Sequence, residues 1–186
     1  MAVYTKINKK DISYINKKFE IEKIISFKGI KQGIENTNYL LRSKNKKFIL
    51  TIFEKRVSQN EIPFFMKLMD QLNNSKINCP KPQKNKNGNY LVKIRKKSAC
   101  IVSFLEGKDK KILNLKNCYD IGKMVAGMHL STKKINLSRK NSMGIKYLNP
   151  LLNSIKFKSK KFTNIVKFLK INLKDIKVKW PKKLPK

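Results

Sequence analysis

The chain has 186 residues, 40% of them apolar, with 10 Phe, 6 Tyr and 1 Trp. That length suits one sizeable domain or two small lobes, and the aromatic content excludes a disordered tail, because disordered chains are poor in these residue types. Lys and Arg number 45 against 11 Asp and Glu, a net charge of +34, which by itself suggests a polyanionic partner.

The make-up of that charge argues otherwise. It consists of 41 Lys and only 4 Arg, and Lys, Ile and Asn fill 83 of the 186 positions. All three are encoded by codons rich in A and T, whereas Arg, which reads phosphates and guanines bidentately, is scarce. The lysines are spread along the chain and are not interleaved with stacking aromatics. The excess therefore reads as compositional drift on a solvated surface, and any nucleic-acid binding as nonspecific lysine attraction. No apolar run approaches the ~18 residues of a membrane span, and the first residues lack the apolar stretch of a signal peptide. A cytoplasmic protein with no membrane partner is expected. Cys79, Cys100 and Cys118 are odd in number, show no Cys-x-x-Cys spacing and read as buried structural thiols.

In chain order, Asp11 to Phe19 predicts a short helix with Ile12, Ile15 and Phe19 on one face. The pattern then turns to strands: Ile24 to Phe27, a glycine-punctuated turn through Gly29 and Gly33, Asn38 to Leu41, and Phe48 to Phe53. Their connections are too short for parallel crossovers, so the three are expected to be antiparallel. A helix follows from about Glu61 to Ser75, with Ile62, Phe65, Met69 and Leu72 on its apolar face, Asn60 as N-cap and Pro63 in the first turn. Cys79-Pro80-Lys81-Pro82 predicts an extended connection. Asn87-Gly88 is a tight-turn signal that would pair this segment with Tyr90 to Ile94 as a hairpin. A turn at Lys96-Lys97-Ser98 leads into Ala99 to Leu105. Beyond Gly107 the texture is helical, with Asn114 capping a helix faced by Leu115, Cys118, Ile121, Val125 and Met128, and Thr163 capping one faced by Ile165, Val166, Leu169, Leu173 and Ile176. The fold class is α+β: a five-stranded antiparallel lobe with one inserted helix (residues 1–106), then the beginning of a helical lobe (107–186).

This order is that of the protein-kinase-like phosphotransferases, and particular residues carry the likeness further. Phe27-Lys28-Gly29-Ile30-Lys31-Gln32-Gly33-Ile34-Glu35-Asn36-Thr37-Asn38-Tyr39-Leu40-Leu41, followed by Phe48 to Arg56, closely resembles the opening of bacterial homoserine kinases, which share the aminoglycoside-phosphotransferase and choline-kinase fold. In register follow Pro63-Phe64-Phe65 with Leu68-Met69, Cys79-Pro80-x-Pro82, Ile101-Val102-Ser103-Phe104-Leu105-Glu106-Gly107, and Gly122-x-x-x-Ala126-x-Met128-His129-Leu130. Met1-Ala2-Val3-Tyr4-Thr5 and Trp180-Pro181-x-x-Leu184-Pro185 fit as well.

The resemblance implies ATP-dependent phosphorylation of L-homoserine to O-phospho-L-homoserine in threonine biosynthesis, with ATP as cofactor and Mg²⁺ in a full-length relative. It implies nucleotide contacts at Lys28, Gly29, Gly33, Asn36 and Thr51, and at Ser103, Phe104, Leu105 and Glu106 between the lobes. A glycine turn lets backbone N–H groups approach phosphates, although Gly29 and Gly33 do not spell Gly-x-Gly-x-x-Gly and are equally compatible with an ordinary hairpin bend. Ser103 to Gly107 is equally compatible with a plain edge strand leading into a linker. Thr51 stands where kinases place a third-strand Lys, as it does in homoserine kinases of this type; Lys28, Lys55 and Arg56 are the basic residues near enough in sequence to replace that charge. His129, the single histidine, is expected to make a buried hydrogen bond and not to act as a base.

The family takes its catalytic Asp and a metal-binding Asn from a His-x-Asp-x-x-x-x-Asn loop after the Trp-Pro-x-x-Leu-Pro stretch, and a second metal-binding Asp from further on. Between residues 111 and 186 the acids are Asp120 and Asp175, and neither has an Asn four or five residues later. The expectation is therefore an N-terminal portion, with no catalytic or metal-binding residue assigned and inactive alone. The alternatives are a non-catalytic nucleotide-binding or interaction fragment and, less favoured, a basic nucleic-acid binder.

Overall fold

The computed structural model describes residues 3–54, 58–139, 145–154 and 160–179. Met1, Ala2, Lys55, Arg56 and the Trp180 to Pro185 motif lie outside the described residues. The chain divides into two compact units, Met1–Ser138 and Arg139–Lys186. Residues 106 and 107 lie within the first unit.

The first unit opens with α1 (Lys9–Lys18), begun by a capping box in which the Asn8 side chain accepts from the backbone of Asp11 while the Asp11 carboxylate accepts from the N–H of Asn8. Its predicted apolar face is the buried one: Ile12, Ile15 and Phe19 are all in the core. The strands β1 (Ser26–Gly29), β2 (Thr37–Arg42), β3 (Lys47–Ile52), β4 (Leu91–Ile94) and β5 (Lys97–Ser103) form one fully antiparallel sheet in the order β1-β2-β3-β5-β4. The inserted helix α2 (Ile62–Asn74) follows β3. Tyr39, Leu41, Phe48, Leu50, Ile52 and Ile101 point to the α1 face and are buried, each full burial of such a side chain being worth ~1.5–3 kcal/mol. On the opposite face Ile62 and Met66 of α2 pack on Cys100 and Val102, with Ile49, Phe53, Phe65 and Met69 around them.

Several local expectations are corrected. Glu61, not Asn60, occupies the N-cap of α2 and gives no side-chain cap bond; Pro63 does lie in the first turn. Asn87-Gly88 closes a tight loop, with Gly88 N–H donating to Asn85 O and Asn85 N–H to Asn89 O at 2.8 Å each, but the segment before it does not go on to pair with β4. Asn85 Oδ1 accepts from the N–H groups of Asn87 and Asn89, which closes the turn on itself. The extended segment before it pairs with the far end of β5, through Gln83 N–H to Ile101 O at 2.8 Å and Ser103 N–H to Lys81 O at 2.9 Å. The true hairpin joins β4 to β5 at Arg95 and Lys96, both left-handed with φ of 51° and 64°.

After β5, α3 (Leu115–Thr132) starts at the predicted Asn114 cap. None of its residues is buried, and Leu115 is 90% exposed. A Cβ at Gly127 would stand 3.5 Å from Ile77 Cδ1. In the second unit α4 (Ile145–Ser154), with Pro150 inside it and no counterpart in the sequence reading, packs on α5 (Lys160–Lys179). Thr163 lies within α5 and does not cap it. No helix among the described residues is long and apolar enough to cross a membrane.

Candidate functional site

The two faces of β2 and β3 differ in a way that locates the site. Residues on the α1 face are closed off, whereas Asn38, Leu40, Ile49 and Thr51 on the other face are only half-buried. α2 covers that second face over β3, β5 and β4 and leaves the β1–β2 half open. Lys28 stands opposite Leu40 in the β1–β2 register, hence on this open face. Lys28, Gly29, Ile30, Lys31, Gln32 and Leu40 line a recess of about 480 Å³ there.

The β1–β2 loop bounds the open face at the end where Thr37 pairs with Ile52; the segment after β5 bounds it at the other end, where Phe48 pairs with Ser103. An apolar floor of Leu40 and Ile49, both half-buried, between a cationic, amide-bearing loop and an exposed backbone segment can take a flat ring at one end and an anionic group at the other. In the loop, Gly33 has φ +107°, which a side chain would strain, while a Cβ there would come no nearer than 4.0 Å to Asn38 Nδ2. Conformation, not space, requires that glycine. Gly29 is the reverse. It ends β1 instead of sitting in the turn, and a Cβ on it would stand 3.0 Å from Val3 Cγ2. Its missing side chain accommodates the N-terminal segment, so any ligand contact from Gly29 comes from its backbone.

Thr51 donates from Oγ1 to Asn38 Oδ1 at 2.8 Å, a neutral pair at the position where the resemblance to kinases would put a cation. Asn36 Oδ1 accepts from the Glu54 N–H at 3.2 Å, so this oxygen holds the exit of β3. In the post-β5 segment the backbone accounting is selective. Ser103 N–H donates to Lys81 O and Phe104 N–H to Lys47 O, and Ser103 Oγ accepts from Lys81 N–H. Among the described residues no such bond engages the N–H of Leu105 or Glu106, which are the groups left for a ligand. Lys47 fixes the segment a second time: its Nζ lies 2.7 Å from Glu106 Oε1 and 5.3 Å from the Phe104 ring centroid.

The sequence reading missed the cluster beneath the loop. Glu54 Oε1 accepts from Thr5 Oγ1 at 2.7 Å and Thr37 Oγ1 at 2.8 Å, and Oε2 pairs with Lys97. Thr37 Oγ1 in turn accepts from the N–H groups of Tyr4 and Thr5. Burial alone would raise the Glu54 carboxyl, but the hydrogen bonds from Lys97, Thr5 and Thr37 outweigh it and hold the group below its ordinary value. These partners are separated by 17 to 92 residues, so no local pattern marks them. The available hint was an acid at the end of an apolar strand in a chain with only 11 acids.

His129 and Cys118 are exposed, contrary to the buried roles expected of them. Cys100 is buried, and desolvation pushes its thiol up to about 12. Cys79 is half-buried, and its sulfur accepts from Asn73 Nδ2. Among the described residues no group of three or more His, Cys, Asp or Glu is placed to hold a metal ion.

The model of the Phosphotransferase enzyme family matches residues 26–153, which include the sheet, α2 and α3. Over its whole length the chain is 34% identical to a homoserine kinase of Paramagnetospirillum magneticum and 33% identical to one of Nitrobacter winogradskyi, and it spans 57% of the length of each. Among solved structures it is similar to a spectinomycin phosphotransferase in complex with ADP and spectinomycin, with TM-score 0.58 at 12% identity over 92% of this chain and 55% of that one. It is also similar to an amicoumacin kinase in complex with AMP-PNP and Ca²⁺, with TM-score 0.57 at 13% identity over 82% and 55%. These likenesses support the kinase-like fold, and with the match over residues 26–153 the chain belongs to the Phosphotransferase enzyme family.

Proposed function

We propose that the chain forms the nucleotide-binding part of a homoserine kinase, a cytoplasmic enzyme that phosphorylates L-homoserine to O-phospho-L-homoserine with ATP. The observation that carries this reading is the 34% identity to a homoserine kinase along all 186 residues. In it, residues 1–106 are the nucleotide lobe and 107–186 begin the substrate lobe. ATP, when bound, supplies the phosphoryl group for transfer. Leu40 and Ile49 form the floor for its ring, and the N–H groups of Leu105 and Glu106 meet the ring's polar edge. Lys28 and the backbone of the Gly33 loop face the phosphates. Thr51, tied to Asn38, shapes the pocket without contributing charge.

The acids among the described residues do not suit a Mg²⁺ site, so no step is assigned to the metal here. The chain alone is accordingly expected to bind ATP without turnover. Calorimetry of the 186-residue chain with ATP and with adenosine, beside an ADP-release assay with L-homoserine and Mg-ATP, tests both parts. Binding with background turnover is expected. A folded chain that binds neither ligand would overturn the nucleotide reading, and clear homoserine-dependent ADP release would overturn the reading that the chain lacks the catalytic groups.

A further inference from the structure

The N-terminal segment does more than cover the core. Val3 packs against Gly29 at the end of β1, with Cγ2 3.0 Å from where a Cβ would stand. Tyr4 and Thr5 donate their backbone N–H groups to Thr37 Oγ1 at 2.9 and 3.0 Å, at the start of β2. Thr5 O accepts from the Tyr39 hydroxyl at 3.0 Å, and Ile7 N–H donates to that same hydroxyl. The segment is thus pinned on both strands that flank the β1–β2 loop. From this fixed base the Tyr4 side chain, 57% exposed, reaches out of the core, and its hydroxyl donates to Ile34 O at 3.1 Å, in the loop next to Gly33.

A large aromatic held outside the core by an anchored segment, with its one polar atom on the loop backbone, has little to contribute to burial. Its geometry is that of a strut. We propose that Val3 to Thr5 form a strap that holds the β1–β2 loop in the conformation that faces a ligand's phosphates, with Tyr4 as the positioning residue. This rests on the nucleotide reading for its ligand, but the mechanical part, that Tyr4 holds the loop, does not need one. Fixing Ile34 O restrains the Ile34–Glu35 peptide, one residue after Gly33, the most permissive residue of the loop, so fewer loop conformations compete with the one that binds.

The variant Tyr4→Phe keeps the ring and removes only the hydroxyl. One neutral hydrogen bond is worth a few-fold to about tenfold in an equilibrium. Calorimetry should therefore show ATP bound about three- to tenfold more weakly by Tyr4→Phe, adenosine bound as by the wild type, and an unchanged melting temperature. Hydrogen exchange of the free chain should quicken at residues 31–36 and nowhere else in the sheet. Equal weakening of ATP and adenosine, or unchanged ATP binding, would overturn the positioning role. If the wild type binds neither ligand, the nucleotide reading fails by itself. Faster exchange at 31–36 in Tyr4→Phe would then still uphold the strut, and unchanged exchange would overturn it.

Discussion

Replacing Glu54 by alanine removes the common acceptor of three donors that come from the N-terminal segment, β2 and β5. Hydrogen bonds to a charged group contribute roughly 1.5–3 kcal/mol each, but these three are not additive. They share one carboxylate whose side chain is 11% exposed, and Lys97 at 39% can turn to water. Thr37 is fully buried and loses the acceptor for its hydroxyl, which alone costs about 1–3 kcal/mol. A net loss of about 3 kcal/mol is expected for Glu54→Ala, and about half of that for Glu54→Gln, which keeps an acceptor oxygen. Equilibrium urea unfolding at pH 7 reads this as a lower midpoint at unchanged slope. The same Glu54→Ala change in a Thr37→Val background should cost clearly less, because the orphaned hydroxyl is gone. Because the native carboxyl titrates below its ordinary value of 4.5, its contribution is complete above that value. It is lost as the pH falls through 4.5 toward the lower native value. The stability gap between wild type and Glu54→Gln should therefore be flat near neutrality and narrow in acid. A Glu54→Ala loss under about 1 kcal/mol, or a gap that widens in acid, would refute the reasoning.

Two further changes test the backbone assignments. Lys96→Gly should stabilise the chain by about 0.5–1 kcal/mol and raise the melting temperature, since a left-handed φ costs an L-residue roughly 1 kcal/mol that glycine avoids; a lower melting temperature would contradict the φ of 64°. Gly29→Ala should destabilise by about 1–2 kcal/mol through overpacking against Val3. Val3→Ala in the same chain should restore most of it, and failure to do so in urea unfolding would mean that something other than this contact requires the glycine.

The readable parts of the fold were those in which one period or one cap decides the outcome. Phe48 to Ile52 alternate between buried and half-buried positions, as a strand covered on one face must. Asn114 caps α3 because its oxygen reaches the Asn117 N–H whatever the rest of the chain does. The errors arose where a partner distant in sequence redirected a local preference. Asn87-Gly88 closes a tight loop on Asn85, but the extended segment before it is drawn along β5 through Gln83 and Lys81 instead of along β4, and Arg95-Lys96, with no glycine, makes the β4–β5 hairpin because Ile94 and Lys97 are already paired across it. Arg95 is further fixed by its ion pair to Asp11, 84 residues away.

The candidate site divides along the same line. Its floor follows from alternation, but the loop that gives it chemistry was read from two glycines that turn out to serve different ends. Gly33 is a conformational requirement, set by its φ of +107°, and Gly29 a steric one, set by the position of Val3. A single sequence records that a residue lacks a Cβ but not which neighbour would have met it. The neighbour here comes from the first turn of chain, 26 positions away, and the same segment supplies the bonds to Thr37, Tyr39 and Ile34. The support of the loop is therefore long-range, and its resistance to opening should depend on the N-terminal segment more than on the residues of the loop itself.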